Sequence, residues 1–309
     1  MTTFLFPGQG AQMPGFLHAL PDEDPAKETL AQASDALGLD ILSLDTEGAL
    51  ASTINVQLGV LVAGTAATRC LMAKGVKPTA VAGISIGSFT AAVAAGSIDF
   101  KDAVKLVKLR ATLMENAYPS GYGMAAFGGL RQAQLSQLAD AAQTPEEPLY
   151  LANFNAPTEI VVTGAVAALD RLIVTAQAAA ARRAQRLDVS VPSHCPLLES
   201  VSVELSKAIQ DYEIRAPKIT YVGNRTARVL ADAQAVAQEL ATNVSHPVLW
   251  HDSTTLLHEL DERFFIEAPP GNVLTGLIHD AFDDVQGRCM GNTPLNTLAY
   301  LYEKAHARS

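Results

Sequence analysis

The chain has 309 residues, 49% of them apolar and 17% charged, which excludes disorder over most of its length and supplies ample material for a core. Its 22 basic and 32 acidic residues give a formal charge of −10, which argues against surfaces that neutralise nucleic-acid phosphates or anionic membranes. Cys70, Cys195 and Cys289 stand far apart with no CxxC spacing, so neither a disulfide framework nor a structural zinc site is expected, and the expected location is cytoplasmic.

The first ten residues, MTTFLFPGQG, lack the basic flank and apolar length of a signal peptide. Within them, 3–6 reads as a buried strand stopped by Pro7-Gly8. A helix follows over 56–74; its apolar run is interrupted by Arg69 and Lys74, so no membrane span is expected. Next come a strand at 79–83, an Ala-rich helix at 88–95 ended by Gly96, and a helix at 101–117 ending before Pro119. Strands alternating with helices predict a mostly parallel sheet covered on both faces.

From 124 the rhythm changes to strand 124–127, helix 132–142, strands 149–152 and 159–162, helix 165–181 and strand 184–189. That order is the ferredoxin-like unit. The expected architecture is therefore α/β: a large, α/β-hydrolase-like domain from 1–121 and 191–309, with a ferredoxin-like subdomain inserted at 122–190. The C-terminal half continues with helix 197–211, strand 219–222, helices 233–240 and 248–260, strand 264–267, and a helix beginning near Asn272.

The strongest chemical signal is Gly83-Ile84-Ser85-Ile86-Gly87, a GxSxG nucleophile elbow where a strand ends and a helix begins. The turn exposes Ser85 Oγ beside free helix N–H groups that favour developing negative charge. A serine nucleophile needs a base. Of seven histidines, His194 stands out in Val191-Pro192-Ser193-His194-Cys195-Pro196, where prolines bound the loop and a helix follows. Other motifs fail: Gly8-Gln9-Gly10 has Met13 where a dinucleotide fingerprint needs its third glycine, and His258-Glu259 lacks the second histidine of a zinc pair.

These segments, with Phe6-Pro7-Gly8-Gln9-Gly10-Ala11-Gln12, Leu109-Arg110, Asn153-Phe154-Asn155-Ala156-Pro157, Asn243 with Pro247-Val248-Leu249-Trp250, and Glu267-Ala268-Pro269-Pro270-Gly271-Asn272, resemble the acyl-carrier-protein malonyltransferase family over nearly the whole chain. The resemblance implies that Ser85 is acylated and that His194 is its base. It implies that backbone N–H groups of Gln9 and Ile86 form the oxyanion hole and that Arg110 binds the free carboxylate of malonyl. Asn155 is implied as a pocket residue. Asn243 stands where the family has a glutamine that orients the histidine through its side chain. The implied substrate is malonyl-CoA and the implied partner an acyl carrier protein, with no bound cofactor or metal.

Two departures mark the elbow, Ile84 for histidine and Ser88 for glutamate in the family's GHSxGE. With 119–124 and 150–153 they resemble most the malonyltransferase (epsilon) subunit of biotin-independent malonate decarboxylase. That branch implies a dephospho-CoA-derived thiol on a small carrier subunit as acceptor, with other decarboxylase subunits as partners. The alternative is the fatty-acid-synthesis branch. From other classes stand a serine hydrolase, for which Asp188 is a candidate acid, and a non-catalytic scaffold subunit. For carrier docking, the basic residues Lys101, Lys105 and Lys108, or Arg182, Arg183 and Arg186, are candidates; a solvated helix face is the plainer reading of the lysines.

Overall fold

The computed structural model describes residues 1–307. Every residue of strand β1 (Thr2–Phe6) is buried, as suits a central strand of a parallel sheet. Helix α1 (Asp24–Leu37) buries only Ala26, Thr29 and Ala33, whereas α2 (Thr53–Ala73) is buried almost all round. By length and composition α2 is apolar enough to cross a membrane, yet 83% of its most apolar window lies inside the fold, the mark of a core helix. Strand β2 (Ala80–Gly83) then leads into α3 (Gly87–Ala94) and α4 (Phe100–Ala117).

The next elements are β3 (Tyr122–Gly128), α5 (Gln132–Ala142), β4 (Leu149–Ala156), β5 (Glu159–Ala165), α6 (Val166–Ala178) and β6 (Arg183–Arg186). The chain continues through α7 (Glu199–Ala208), β7 (Thr220–Val222), α8 (Ala233–Thr242), α9 (Trp250–Glu259), β8 (Phe264–Glu267), α10 (Val273–Ala281), β9 (Gln286–Cys289) and α11 (Leu295–His306).

Two sheets result. The larger has order β7-β2-β1-β8-β9 with every pairing parallel. Its pleat sends Phe4, Phe6, Phe264 and Ile266 into one apolar cluster and Leu5 and Phe265 into another, so both faces are covered. The smaller is antiparallel with order β4-β5-β3-β6; Phe127, Ile160 and Val162 pack on one face with Leu135 of α5 and Leu169 and Leu172 of α6. The chain is thus mixed α/β with a mainly parallel sheet carrying an antiparallel insertion. The hydrolase comparison is loose, since among the described residues the large sheet has these five strands.

Three elements escape the sequence pattern: α1, β9 and α11. Each buries little, and α11 contributes only Leu298 to the core. The helix expected over 197–211 divides into α7 flanked by the 3₁₀ turns Pro196–Leu198 and Ile209–Asp211. The one expected from 248 begins at Trp250 because the backbone of Val248 is extended: it donates to Ala152 O at 2.8 Å and accepts from Phe154 N at 2.8 Å, which ties β4 to the large unit.

Candidate active site

The loops that follow the parallel strands meet at the carboxyl edge of the sheet, where open α/β sheets place ligands. Ser85 sits between β2 and α3 with φ +57°, a left-handed conformation that costs a non-glycine residue about 1–2 kcal/mol. The flanking glycines are required by the backbone: a Cβ on Gly83 would fall on Gly87 O, and one on Gly87 on Phe6 O. The loop after β1 lies against this turn, with the Cβ position of Gly8 3.7 Å from Ser85 Cβ. Among the described residues the N–H groups of Gln9 and Ile86 donate to no protein acceptor. Such free donors are what an oxyanion hole needs.

Helix α4 brings Arg110 to the serine from its core stripe, with Ala103, Val107 and Met114. The guanidinium is fully buried. Its Nη1 donates to Gln57 Oε1 at 2.5 Å, and its Nη2 to Ser85 Oγ at 3.1 Å and Asn243 Oδ1 at 3.5 Å. Gln57 in turn donates to Met114 Sδ at 3.4 Å. Burial pushes the Arg110 pKa down to about 9, which leaves it a cation at neutral pH. Among the described residues it faces no carboxylate, and its Nε has no acceptor. A buried cation without a counter-charge is costly and calls for an anionic ligand.

His194 is almost fully buried and also left-handed, at φ +66°. Its backbone N–H donates to Val244 O at 2.7 Å. Its Nδ1 lies 2.8 Å from Asn243 O and 3.2 Å from His246 O. Both partners are carbonyls, so Nδ1 carries the proton and Nε2 keeps its lone pair. Burial, then the nearby Arg110 charge, pulls the imidazole pKa down to about 4 against the upward pull of those carbonyls. It is therefore a neutral base at pH 7. No hydrogen bond joins Ser85 Oγ to His194 among the described residues; bonds of this kind are commonly loose before substrate binds.

Asn243 departs from the expected contact. Its backbone carbonyl holds the histidine, while its side chain turns away: Nδ2 donates to Ser85 O at 3.4 Å and Oδ1 accepts from Arg110. One residue thereby joins Ser85, His194 and Arg110. The missing methylene does not affect the histidine contact, because the backbone makes it. Among the described residues no carboxylate orients His194, and Asp188 is not among its partners. Asn155 makes no hydrogen bond with Ser85, His194 or Arg110; it lies at the end of β4 with its Oδ1 buried and, among the described residues, without a partner.

Ile84 packs in the apolar cluster with Leu5, Val248 and Trp250, and Ser88 Oγ donates to Gly83 O at 3.2 Å, so both departures are absorbed inside the fold. Lys101 and Lys105 face Asp35 and Asp102. Sequence reasoning missed Gln57, the carbonyl of His246, and Asn224, whose side chain reaches the elbow. Gln57 and Asn224 are distant in sequence from the groups they touch, and their only local sign is a polar residue beside a strand or on an apolar helix.

The acyl transferase domain family matches residues 3–305. The malonyl CoA-acyl carrier protein transacylase of Haemophilus influenzae is 36% identical over 289 residues, covering 91% of this chain and 92% of its own. The crystal structure of an acyl-carrier-protein S-malonyltransferase from Burkholderia pseudomallei superposes with a TM-score of 0.91 at 35% identity, over 97% of this chain and 99% of that one. A malonyl-transacylase solved in complex with its type II PKS acyl-carrier protein gives a TM-score of 0.91 at 32% identity, over 96% of this chain and 98% of that one. With its elbow serine, buried histidine and buried arginine on this shared fold, the chain belongs to the acyl transferase domain family.

Proposed function

We propose that this enzyme moves a malonyl group from malonyl-CoA to the thiol of an acyl carrier protein, by way of an ester on Ser85. The observation that carries the reading is Arg110, a buried cation lacking a carboxylate partner, 3.1 Å from the Ser85 hydroxyl. Only two C–C bonds, each about 1.5 Å, separate the reacting carbon of malonyl from its far carboxylate carbon. An acyl group joined to Ser85 Oγ therefore holds its free carboxylate within reach of the guanidinium fork.

In the first half-reaction Ser85 Oγ attacks the thioester carbon while His194 Nε2 accepts its proton. The N–H groups of Gln9 and Ile86 receive the oxyanion. The carbon–sulfur bond breaks and His194 returns the proton to the CoA thiolate. In the second half His194 deprotonates the carrier thiol, which attacks the ester and releases Ser85 with its proton restored. Arrival of the malonyl carboxylate draws Arg110 Nη2 away from Ser85 Oγ and leaves the hydroxyl free to turn toward His194. Two carbonyls, rather than a carboxylate, hold the imidazole. This differs from the Ser-His-Asp arrangement in which a buried carboxylate stabilises the imidazolium of a hydrolase.

The relatives described above are named for an acyl carrier protein as acceptor, which supports the fatty-acid-synthesis alternative over a malonate decarboxylase carrier subunit. The narrower reading rests on Ile84, Ser88 and two short segments, and the internal packing of both side chains weakens it further. Asn155 stays a candidate wall of the acyl pocket. Intact-mass measurement after mixing with malonyl-CoA tests the proposal: one malonyl group should add to the wild type and none to Ser85→Ala. A wild type that gains nothing fits a scaffold, and one that releases free malonate rapidly without carrier fits a hydrolase.

A further inference from the structure

The loop after β7 carries a side chain that the reaction does not use, yet it grips the nucleophile's backbone on both sides. Asn224 is almost fully buried. Its Oδ1 accepts from Ser85 N at 2.7 Å, and its Nδ2 donates to Gly83 O. One planar carboxamide thus satisfies a donor and an acceptor two residues apart, as a neighbouring strand would, where β2 has ended and α3 has not begun.

Asn224 is itself fixed at both backbone groups. Its N–H donates to Glu239 Oε1 at 2.9 Å, and its carbonyl accepts from Leu249 N at 2.9 Å. Glu239 is buried on α8, and its other oxygen accepts from Arg225 N at 3.3 Å. Burial raises the Glu239 pKa, opposed by those two N–H groups. A buried carboxylate spent on two loop amides is a costly device for an ordinary turn. Here the turn it fixes is the one that holds Ser85 in a left-handed conformation.

We infer that Asn224, anchored by Glu239, is a positioning residue that sets the backbone conformation of Ser85 and so the aim of its Oγ. The inference rests on Ser85 being the nucleophile. Among the described residues neither Arg110 nor His194 hydrogen-bonds to Asn224, so its loss keeps the hydrogen bonds of the cation and the base and acts through where the hydroxyl points. Misaiming a reacting atom by about 1 Å can cost about 10²-fold in rate.

The test compares Asn224→Ala, the isosteric Asn224→Asp, and Glu239→Gln with the wild type and Ser85→Ala. Two rates are measured: single-turnover malonylation by malonyl-CoA, and labelling by a small fluorophosphonate, which reports serine reactivity without needing a carboxylate. Asn224→Ala and Asn224→Asp should slow both by about 10- to 10²-fold, with the malonyl-CoA concentration for half-maximal rate within about twofold of wild type. Asn224→Asp keeps the acceptor for Ser85 N but sets an oxygen against Gly83 O. Glu239→Gln keeps an acceptor for the Asn224 N–H and should recover most of the rate, within about tenfold of wild type.

If Asn224→Ala does not fold, Asn224→Asp decides. Folded Asn224 variants that react at wild-type rates, or that change only the half-saturating concentration, overturn the inference. Fluorophosphonate labelling that is equal in the wild type and Ser85→Ala overturns instead the assignment of Ser85, and the inference with it.

Discussion

Replacing Arg110 with alanine separates recognition of the acyl group from the chemistry performed on it. In the free protein the guanidinium is held by Gln57 Oε1, Ser85 Oγ and Asn243 Oδ1, all uncharged. A malonyl carboxylate adds two charge-assisted hydrogen bonds, each worth about 1.5–3 kcal/mol. Together they amount to about 3–6 kcal/mol, and at 1.36 kcal/mol per decade the variant should lose about 10²- to 10⁴-fold in kcat/KM for malonyl-CoA. Acetyl-CoA offers no carboxylate, so its kcat/KM should fall by less than about tenfold, reflecting only the lost contact with Ser85 Oγ. Unpairing Gln57 and Asn243 lowers stability equally for both donors, and measuring rates on the folded fraction removes that effect. Steady-state assays with the two donors give the ratio directly. Equal-fold losses with malonyl-CoA and acetyl-CoA would refute the carboxylate role of Arg110.

The second-order rate of adduct formation at sub-saturating malonyl-CoA, which reports the free enzyme, should be nearly independent of pH from about 8 down through 6.5 and fall only toward the His194 pKa of about 4; an acid limb at 6.5 in this stopped-flow rate would contradict this. Transfer from the malonylated enzyme should show a higher acid limb, because the bound carboxylate offsets the Arg110 charge that depresses His194. The same shift makes folding depend on pH. Between about 4 and 6.5 the unfolded chain binds more protons at this residue, so its contribution is present above 6.5 and lost as pH falls through that window. It amounts to about 3 kcal/mol, and denaturant titrations of His194→Gln should show a shallower acid loss than wild type. Gly83→Ala or Gly87→Ala should destabilise by about 3 kcal/mol or more in thermal unfolding, since the new Cβ meets backbone oxygen that no rotamer change can move. Tyr221→Phe removes the 2.8 Å bond from its hydroxyl to Ser88 O and should cost about 1 kcal/mol by the same measurement.

What could be read from the chain was what its local pattern carries. The elbow is legible because its glycines and serine are neighbours and their geometry is set by one turn. Four of the five strands of the large sheet, all but β9, and the β-α-β-β-α-β run expected over 124–189 and found over 122–186 were legible for the same reason, as their periodicity changes where the architecture does. Arg110 was legible as a site residue only by resemblance. Beside Lys101, Lys105 and Lys108 it looks like one more surface cation, and the sign that it is not is its place on the buried stripe with Ala103, Val107 and Met114. For Asn243 the resemblance implies a side-chain contact with His194, whereas its backbone carbonyl makes that bond, because a residue type suggests what a side chain does and is silent about the main chain. Asn224 and Glu239 were not legible at all: the partners they hold are 139 and 15 residues away.

The pairing of β4 with Val248 bears on how rigid this enzyme is. The insertion is joined covalently to its host only before β3 and after β6, and two such joints alone would define an axis for rocking. Strand β4 lies two strands from β3, about 10 Å along the sheet, so its main-chain suture to Val248 is a third anchorage off that axis. A lid-like swing of the antiparallel sheet would have to break both of these hydrogen bonds, and chimaeras that exchange it between relatives must preserve extended, non-proline backbone at 154 and 248 to keep them.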